Sequence, residues 1–374
     1  MSRASVKPSS SSSDVFAGVL ARGGVAERVS GRAWLQALLD FEVALAHAQA
    51  NAGVIDDAGP IVDAAVLENF DLEAVGAAAA EIGNPAGPVV ARLRELTDAP
   101  VHHGATSQDA VDTAAMLVTK RALAPLLGDL RAGADAAAKL AETHRDTPII
   151  GRTLLQQAKP TTFGLKAAGW MLSLDDAADH LHSVRLPVQL GGPAGTLDGV
   201  GADPLTIVAG LARQLHLDVP VLPWHTLRGR IGELAGALGV AAGVVGKAAR
   251  DITLLAQTEV GEVREAAPGG STSMPHKRNP VAAVAALGCA QQAPALVATL
   301  LAAMVQEHER AAGAWHSEWR PLCDLLITTG SAASWLRTSL EGLEVDVERM
   351  LANLGDARDT GAAALLVDRA LEHR

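Results

Sequence analysis

The 374-residue chain has no tyrosine, four phenylalanines, six tryptophans and two cysteines. Without tyrosine, phenolic groups are missing from the pool of general acids. Cys289 and Cys323 are too few for a disulfide framework, and reduced thiols in a cytoplasmic protein are the expected state. Positive charge is also in deficit. The 31 Lys+Arg against 42 Asp+Glu give a formal charge of -11, which argues against a nucleic-acid binder with a broad basic face. No long apolar run is free of charge: residues 235–249 come closest, about fifteen residues bracketed by Glu233, Lys247 and Arg250, where a span needs roughly twenty. No membrane association is expected. The serine run from Pro8 to Ser13 has no apolar segment behind it and reads as a tail rather than a signal peptide. Strict period-two alternation is missing too, so no sheet is expected.

What is present is helical periodicity in a chain that is 49% hydrophobic and 20% charged, a composition suited to a packed globular protein. Ser30 is placed to cap a helix that carries Trp34, Leu38, Phe41 and Leu45 on one face and ends at Gly53. A shorter helix fits Pro88 to Leu96. A pattern from Gln108 to Thr143 would span ~50 Å, with a kink at Pro125. Long helices are expected over Pro160 to Arg185, Thr226 to Ala266, Pro280 to Ala311 and Ser317 to Leu340. Their Ala- and Val-rich faces suit close helix approach and a bundle shared between subunits. The expected division is an N-terminal helical domain over 1–100, a central long-helix domain over 101–342 and a short helical segment over 343–374.

Four polar, glycine-marked stretches fall between these helices, where binding and catalysis usually sit. The densest runs from Gly269 to Pro280, with Ser271, Thr272, Ser273, Lys277, Arg278 and Asn279. Its glycines supply mobility, its hydroxyls supply donors and its cations supply charge, while Asn279-Pro280 is suited to start a helix. Such a loop can close over an anion as a lid. The His102-His103 pair is a weak metal candidate, because adjacent side chains diverge and no cysteine is near. Gln189 to Thr196 has neither the preceding strand nor the Lys-Ser/Thr ending of a phosphate loop.

The stretch Gly269 to Pro280 closely resembles the GSSxMPxKxNP signature loop of the fumarase/aspartase superfamily, with Thr272 in place of the second serine. Val101-His102-His103-Gly104-Ala105-Thr106-Ser107-Gln108-Asp109 resembles that superfamily's first conserved region. Gly151-Arg152-Thr153-Leu154-Leu155-Gln156-Gln157 followed by Pro160-Thr161-Thr162 resembles the second. Pro223 to Arg228 and Glu307 to Trp319 are similar to the 3-carboxy-cis,cis-muconate lactonizing enzymes in particular.

The resemblance implies an all-α, fumarase/aspartase-like long helical bundle with a shortened C-terminal domain. It also implies a homotetramer whose active sites are shared between subunits and need no metal or organic cofactor. Ser271, Lys277 and Arg310 are the expected catalytic residues. His102, Thr106, Ser107, Arg152, Gln156 and Asn279 are the expected substrate contacts, with His103 the alternative to His102 and helix capping the alternative role for either. Either Lys277 or Arg310 is expected to help activate Ser271. The implied activity is cyclisation of a small tricarboxylate, 3-carboxy-cis,cis-muconate, to a carboxymuconolactone in protocatechuate breakdown by the beta-ketoadipate route. An adenylosuccinate- or argininosuccinate-type C–N lyase and a non-catalytic helical scaffold are the alternatives. Leu154 bears on that choice. Many lyases of the superfamily carry a histidine there as general acid, and leucine transfers no proton.

Overall fold

A computed structural model describes residues 15–270, 273–274 and 277–374. Short helices α1 (Ala17–Leu20) and α2 (Val25–Arg28) lead into α3 (Gly31–Asn51). The Ser30 side chain accepts from the Ala33 N–H and caps α3 as its sequence suggests. Helices α4 (Gly59–Ala64), α5 (Leu72–Ile82) and α6 (Ala86–Leu96) complete the N-terminal part. Then comes α7 (Ser107–Thr143), 37 residues and about 55 Å long at 1.5 Å per residue, with Pro125 inside it.

A hairpin of β1 (Pro148–Thr153) and β2 (Gln156–Thr162) turns the chain into α8 (Phe163–Ser183), which packs along α7. The absence of alternation hid this hairpin: β2 is largely solvent-facing, and β1 buries the adjacent pair Ile149 and Ile150 rather than every second residue. After α9 (Pro204–Leu215), helix α10 (Gly229–Leu255) is shorter than the 226–266 pattern and is followed by β3 (Val263–Glu265). The expected helix over 280–311 is two, α11 (Val281–Ala290) and α12 (Ala293–Ala302), broken before Pro294. Helix α13 (His316–Glu341) runs into β4 (Leu343–Val345), which pairs antiparallel with β3, and α14 (Val347–Leu354) and α15 (Ala363–His373) finish the chain. The architecture is all-α with two minor two-stranded ribbons among the described residues.

One apolar core runs from Val25 to Ala370 and is filled mainly by Ala, Leu and Val. Gly229–Leu255 and Val281–Ala302 are long and apolar enough to match a membrane span in composition. In this fold α10 turns Leu234, Leu238, Val245 and Ile252 into the core. Val240, Val281, Val284 and Leu301 remain between 39% and 55% exposed on α10 to α12.

Candidate active site

The expected site residues fall into two groups. His102, Thr106, Ser107 and Arg310 gather at the N-terminal end of α7. Asp109, in the first turn, is the organiser there: its Oδ2 accepts from the Thr106 N–H and the Gly192 N–H, both at 2.9 Å. Its Oδ1 lies 2.7 Å from His225 Nε2. One fully buried carboxylate therefore ties together the 101–109, 189–196 and 223–228 loops. Arg310 donates to Gln108 Oε1 at 2.9 Å and to the Pro193 carbonyl at 2.9 Å, so it closes over the glycine-rich turn. His225 is thereby a hydrogen-bonded structural residue, and His316, 2.9 Å from the Gly83 carbonyl, is another.

His102 sits on the approach to α7 with a left-handed φ of 61°, its Nδ1 2.6 Å from Glu42 Oε1 of α3. His103 differs: Gln49 of α3 holds its carbonyl, and it is His102 that makes the carboxylate contact. The loop is tightly laid. Gly104 has φ 70°, and a Cβ there would lie 2.5 Å from the Gly199 carbonyl oxygen. Gly104→Ala is expected to cost more than about 1 kcal/mol and to lower activity by displacing His102, read by thermal melting and turnover.

Beneath this end lies a buried ionic cluster that sequence reading missed. Arg228 donates from Nη1 and Nη2 to Asp112 (2.8 and 3.0 Å) and from Nε and Nη2 to Glu318 (3.0 and 2.5 Å). All three side chains are 1–3% exposed. Trp315 Nε1 also donates to Asp112 Oδ1 at 3.0 Å. The Gly229 that follows Arg228 leaves this pairing intact. No sequence spacing links residues 112, 228 and 318; only the packing of α13 against both α7 and α10 does.

The second group, Arg152, Gln156, Lys277 and Asn279, lies at the other end of the bundle. Arg152 is not left open to bind a carboxylate. Its guanidinium grips the buried Glu262 with two bonds of 2.8 Å, and Asn353 donates to the same carboxylate. That commitment recasts Arg152 as the anchor of the hairpin. Gln156 is exposed where β2 begins, and Leu154 and Leu155 form the two-residue tip with φ 52° and 64°. Two leucines in this conformation each cost roughly 1–2 kcal/mol, and they stand 96% and 74% exposed. Burial pushes the nearby Lys166 ammonium's pKa down; it shares with Arg152, Leu155 and Asp251 a cavity of about 230 Å³.

In the signature loop, reciprocal backbone bonds between Gly269 and Asn279 (2.9 and 3.1 Å) pin the base. Asn279 Nδ2 reaches the Gly270 carbonyl at 3.4 Å, and the Lys277 side chain is exposed. Asn279 does not cap α11. The capping residue is Pro280, and the capping carboxylate comes from Glu265, which accepts from the Ala282 and Ala283 N–H groups and from the Ser339 hydroxyl. Ser271 lies outside the described residues.

Helix length sets the distance between the groups. Thr106 and Ser107 open α7, whereas Arg152 and Gln156 follow its far end, about 55 Å away along the axis. A six-residue strand folded straight back would recover only about 20 Å of that. Arg310 and the 269–280 loop are likewise separated by α13, 26 residues and about 39 Å long.

A protein-family model described as Lyase matches residues 11–294. The chain belongs to this lyase family, part of the fumarase/aspartase superfamily. A 3-carboxy-cis,cis-muconate cycloisomerase of Bradyrhizobium diazoefficiens is 46% identical over 91% of this chain and 79% of that protein. A nitrosuccinate lyase of Streptomyces davaonensis is 44% identical over 87% of this chain and 73% of its own length. Among solved structures, the 3-carboxy-cis,cis-muconate lactonizing enzyme of Pseudomonas putida superposes with a TM-score of 0.86 at 39% identity, covering 96% of this chain and 87% of that one. The family assignment makes the two-ended distribution of polar loops a feature of an enzyme.

Proposed function

We propose that this chain is a 3-carboxy-cis,cis-muconate cycloisomerase acting as a homotetramer. The observation that carries the reaction type is Leu154. It stands at the tip of the hairpin that bears Gln156, fully exposed, where a proton-transferring histidine would serve an amine-releasing lyase. A departing amine requires protonation, whereas a carboxylate, with a pKa near 4, leaves or attacks without it. The curated cycloisomerase and the lactonizing-enzyme structure support the same reading.

In the cyclising direction a substrate carboxylate oxygen bonds to the beta carbon of a conjugated acid, and the displaced electron pair moves into the adjacent carboxylate as an aci-carboxylate. The Ser271 hydroxyl then delivers a proton to the alpha carbon and is reprotonated by solvent, and in the reverse reaction the deprotonated serine removes that proton. Lys277, Asn279, Thr106, Ser107 and Gln156 supply the donors and charge that stabilise the dianion as it forms. Arg310 reinforces the α7 end of the site. Attack within one molecule brings the proximity advantage without a water nucleophile.

The ~55 Å between the two residue groups supports assembly from several subunits. The exposed small apolar face of α10 to α12 and the bare leucine tip are surfaces that neighbouring copies would cover. The test of assembly is mixing. Ser107→Ala and Lys277→Ala tetramers, each inactive alone, are expected to regain roughly a quarter of wild-type activity after random reassembly, because one site in four draws both segments intact. No recovery would overturn the shared site.

The nitrosuccinate lyase relative favours one second reading, since nitrite is also a weak base that departs without an acid. Parallel assays decide: loss of diene absorbance with 3-carboxymuconate supports cycloisomerisation, and nitrite release from nitrosuccinate without diene loss replaces it. Efficient cleavage of adenylosuccinate or argininosuccinate would sink both.

A further inference from the structure

Glu42 with His102 is a cluster of titratable groups at the α7 end that the mechanism above leaves unused. Glu42 sits in the middle of α3, a helix that otherwise buries Leu38, Leu39, Phe41 and Leu45 around it. Its residue exposure is 3%, and its side chain reaches across to the approach loop of α7 to meet His102 Nδ1 at 2.6 Å. Glu42 Oε2 has no hydrogen-bond partner among the described residues. A buried carboxylate with one oxygen orphaned is costly, and its retention is economical only if a cation faces it. The same helix grips the next residue of the loop, through Gln49 and the His103 carbonyl. Thus α3 fixes both the backbone and the ring of this segment.

We propose that Glu42 is a positioning residue that keeps His102 as an imidazolium, leaving Nε2–H as a charged donor for a carboxylate of the substrate. The proposal rests on the cycloisomerase reading for the substrate and on the geometry alone for the charge. With Nδ1 held by Glu42, Nε2 is the ring nitrogen left for a ligand. His102 also lines a cleft of about 480 Å³ with Arg94, Asp98 and His103. A tricarboxylate needs more cationic donors than Lys277 and Arg310 supply, and Arg152 is spent on Glu262. An imidazolium fills that gap without any proton having to move.

The charged groups around the ring come from three helices. Burial alone would push the imidazole's pKa down, but the charge and hydrogen bond of Glu42 on α3 and the charge of Asp109 on α7 outweigh it, while Arg94 on α6 opposes them. The net direction is up from the ordinary histidine value. A raised folded-state pKa stabilises the protein fully below the unfolded value of about 6.5, and that contribution is lost as pH rises through the raised value.

The experiment compares wild type, Glu42→Gln, Glu42→Asp and His102→Gln. In Glu42→Gln the alkaline limb of kcat/KM for 3-carboxymuconate is expected to move down by about one pH unit or more, because glutamine keeps the shape and loses the charge. Glu42→Asp should hold the limb near its wild-type position, and His102→Gln should remove it and lower kcat/KM. Melting temperatures are read across the same pH range. The gap between wild type and Glu42→Gln should be widest at low pH and narrow as pH rises, whatever substrate the enzyme takes. A folded Glu42→Gln with an unmoved limb and a pH-independent gap overturns the proposal. If Glu42→Gln does not fold, a wild-type pH profile in His102→Gln does so instead. Failure of wild type on the muconate, with the melting pattern intact, overturns only the substrate reading.

Discussion

Lys277→Ala and Ser271→Ala are each expected to lower turnover roughly a hundredfold or more, about 2.7 kcal/mol of lost transition-state stabilisation, with assembly unchanged. The reason lies in when the charge appears. The substrate's carboxylates are already solvated before reaction, but the aci-carboxylate adds a second negative charge to the carboxylate next to the alpha carbon, and only donors already in place meet it without reorganisation. Lys277 is held on a loop whose ends are clamped by the Gly269–Asn279 pairing, so its backbone is fixed while its side chain is exposed to a ligand. Stability should not suffer, since the side chain covers no core. Steady-state kinetics on both variants, with sedimentation to confirm the oligomer, check the claim. Near-wild-type turnover in either would remove the signature loop from the chemistry. A rise in KM alone would confine Lys277 to ground-state binding.

The largest stability effect is expected at Arg228. Arg228→Ala should destabilise the fold by about 3–5 kcal/mol, because it leaves Asp112 and Glu318 buried at the same spot without their shared cation. Asp112 also receives Trp315 Nε1 and Gln108 Nε2, so the loss should propagate to the first turn of α7 and to Arg310, which leans on Gln108. Denaturant unfolding and turnover should therefore fall together. Arg228→Lys is the informative control: one ammonium cannot reproduce the paired contacts to two carboxylates, and partial recovery is expected. Full stability in Arg228→Ala would show that water or a bound cation replaces the guanidinium.

Much of this protein is legible along the chain because the determining interactions are local. The Ser30 cap, the helix over 31–51, the length of α7 and the start of α13 follow from capping chemistry and 3.6-residue periodicity. The polar loops are legible as well, since glycines and hydroxyls in fixed order mark a site whatever surrounds them. The hairpin at 148–162 was hidden for the opposite reason: β2 is mostly exposed, β1 buries two adjacent isoleucines, and neither strand carries an alternating signal. The helix break before Pro294 was obscured by a run of alanine and valine that suits one helix or two.

Which side chain partners which was decided only in three dimensions. From sequence alone Arg152 is one more cation in a motif; folding sets it against Glu262, 110 positions away, and makes it an anchor. Asp109 reads as a motif letter, yet it joins three loops. Glu42 lies on an ordinary apolar helix, and nothing near it in the chain points to His102. The physical reason is common to all three. A buried charge must find its partner at close range in a medium that screens poorly, and the partner is whatever the packing of distant helices delivers. The sequence by itself determined the helices and the chemistry of the loops, and the tertiary structure decided which charges are spent on holding the fold and which remain for a substrate.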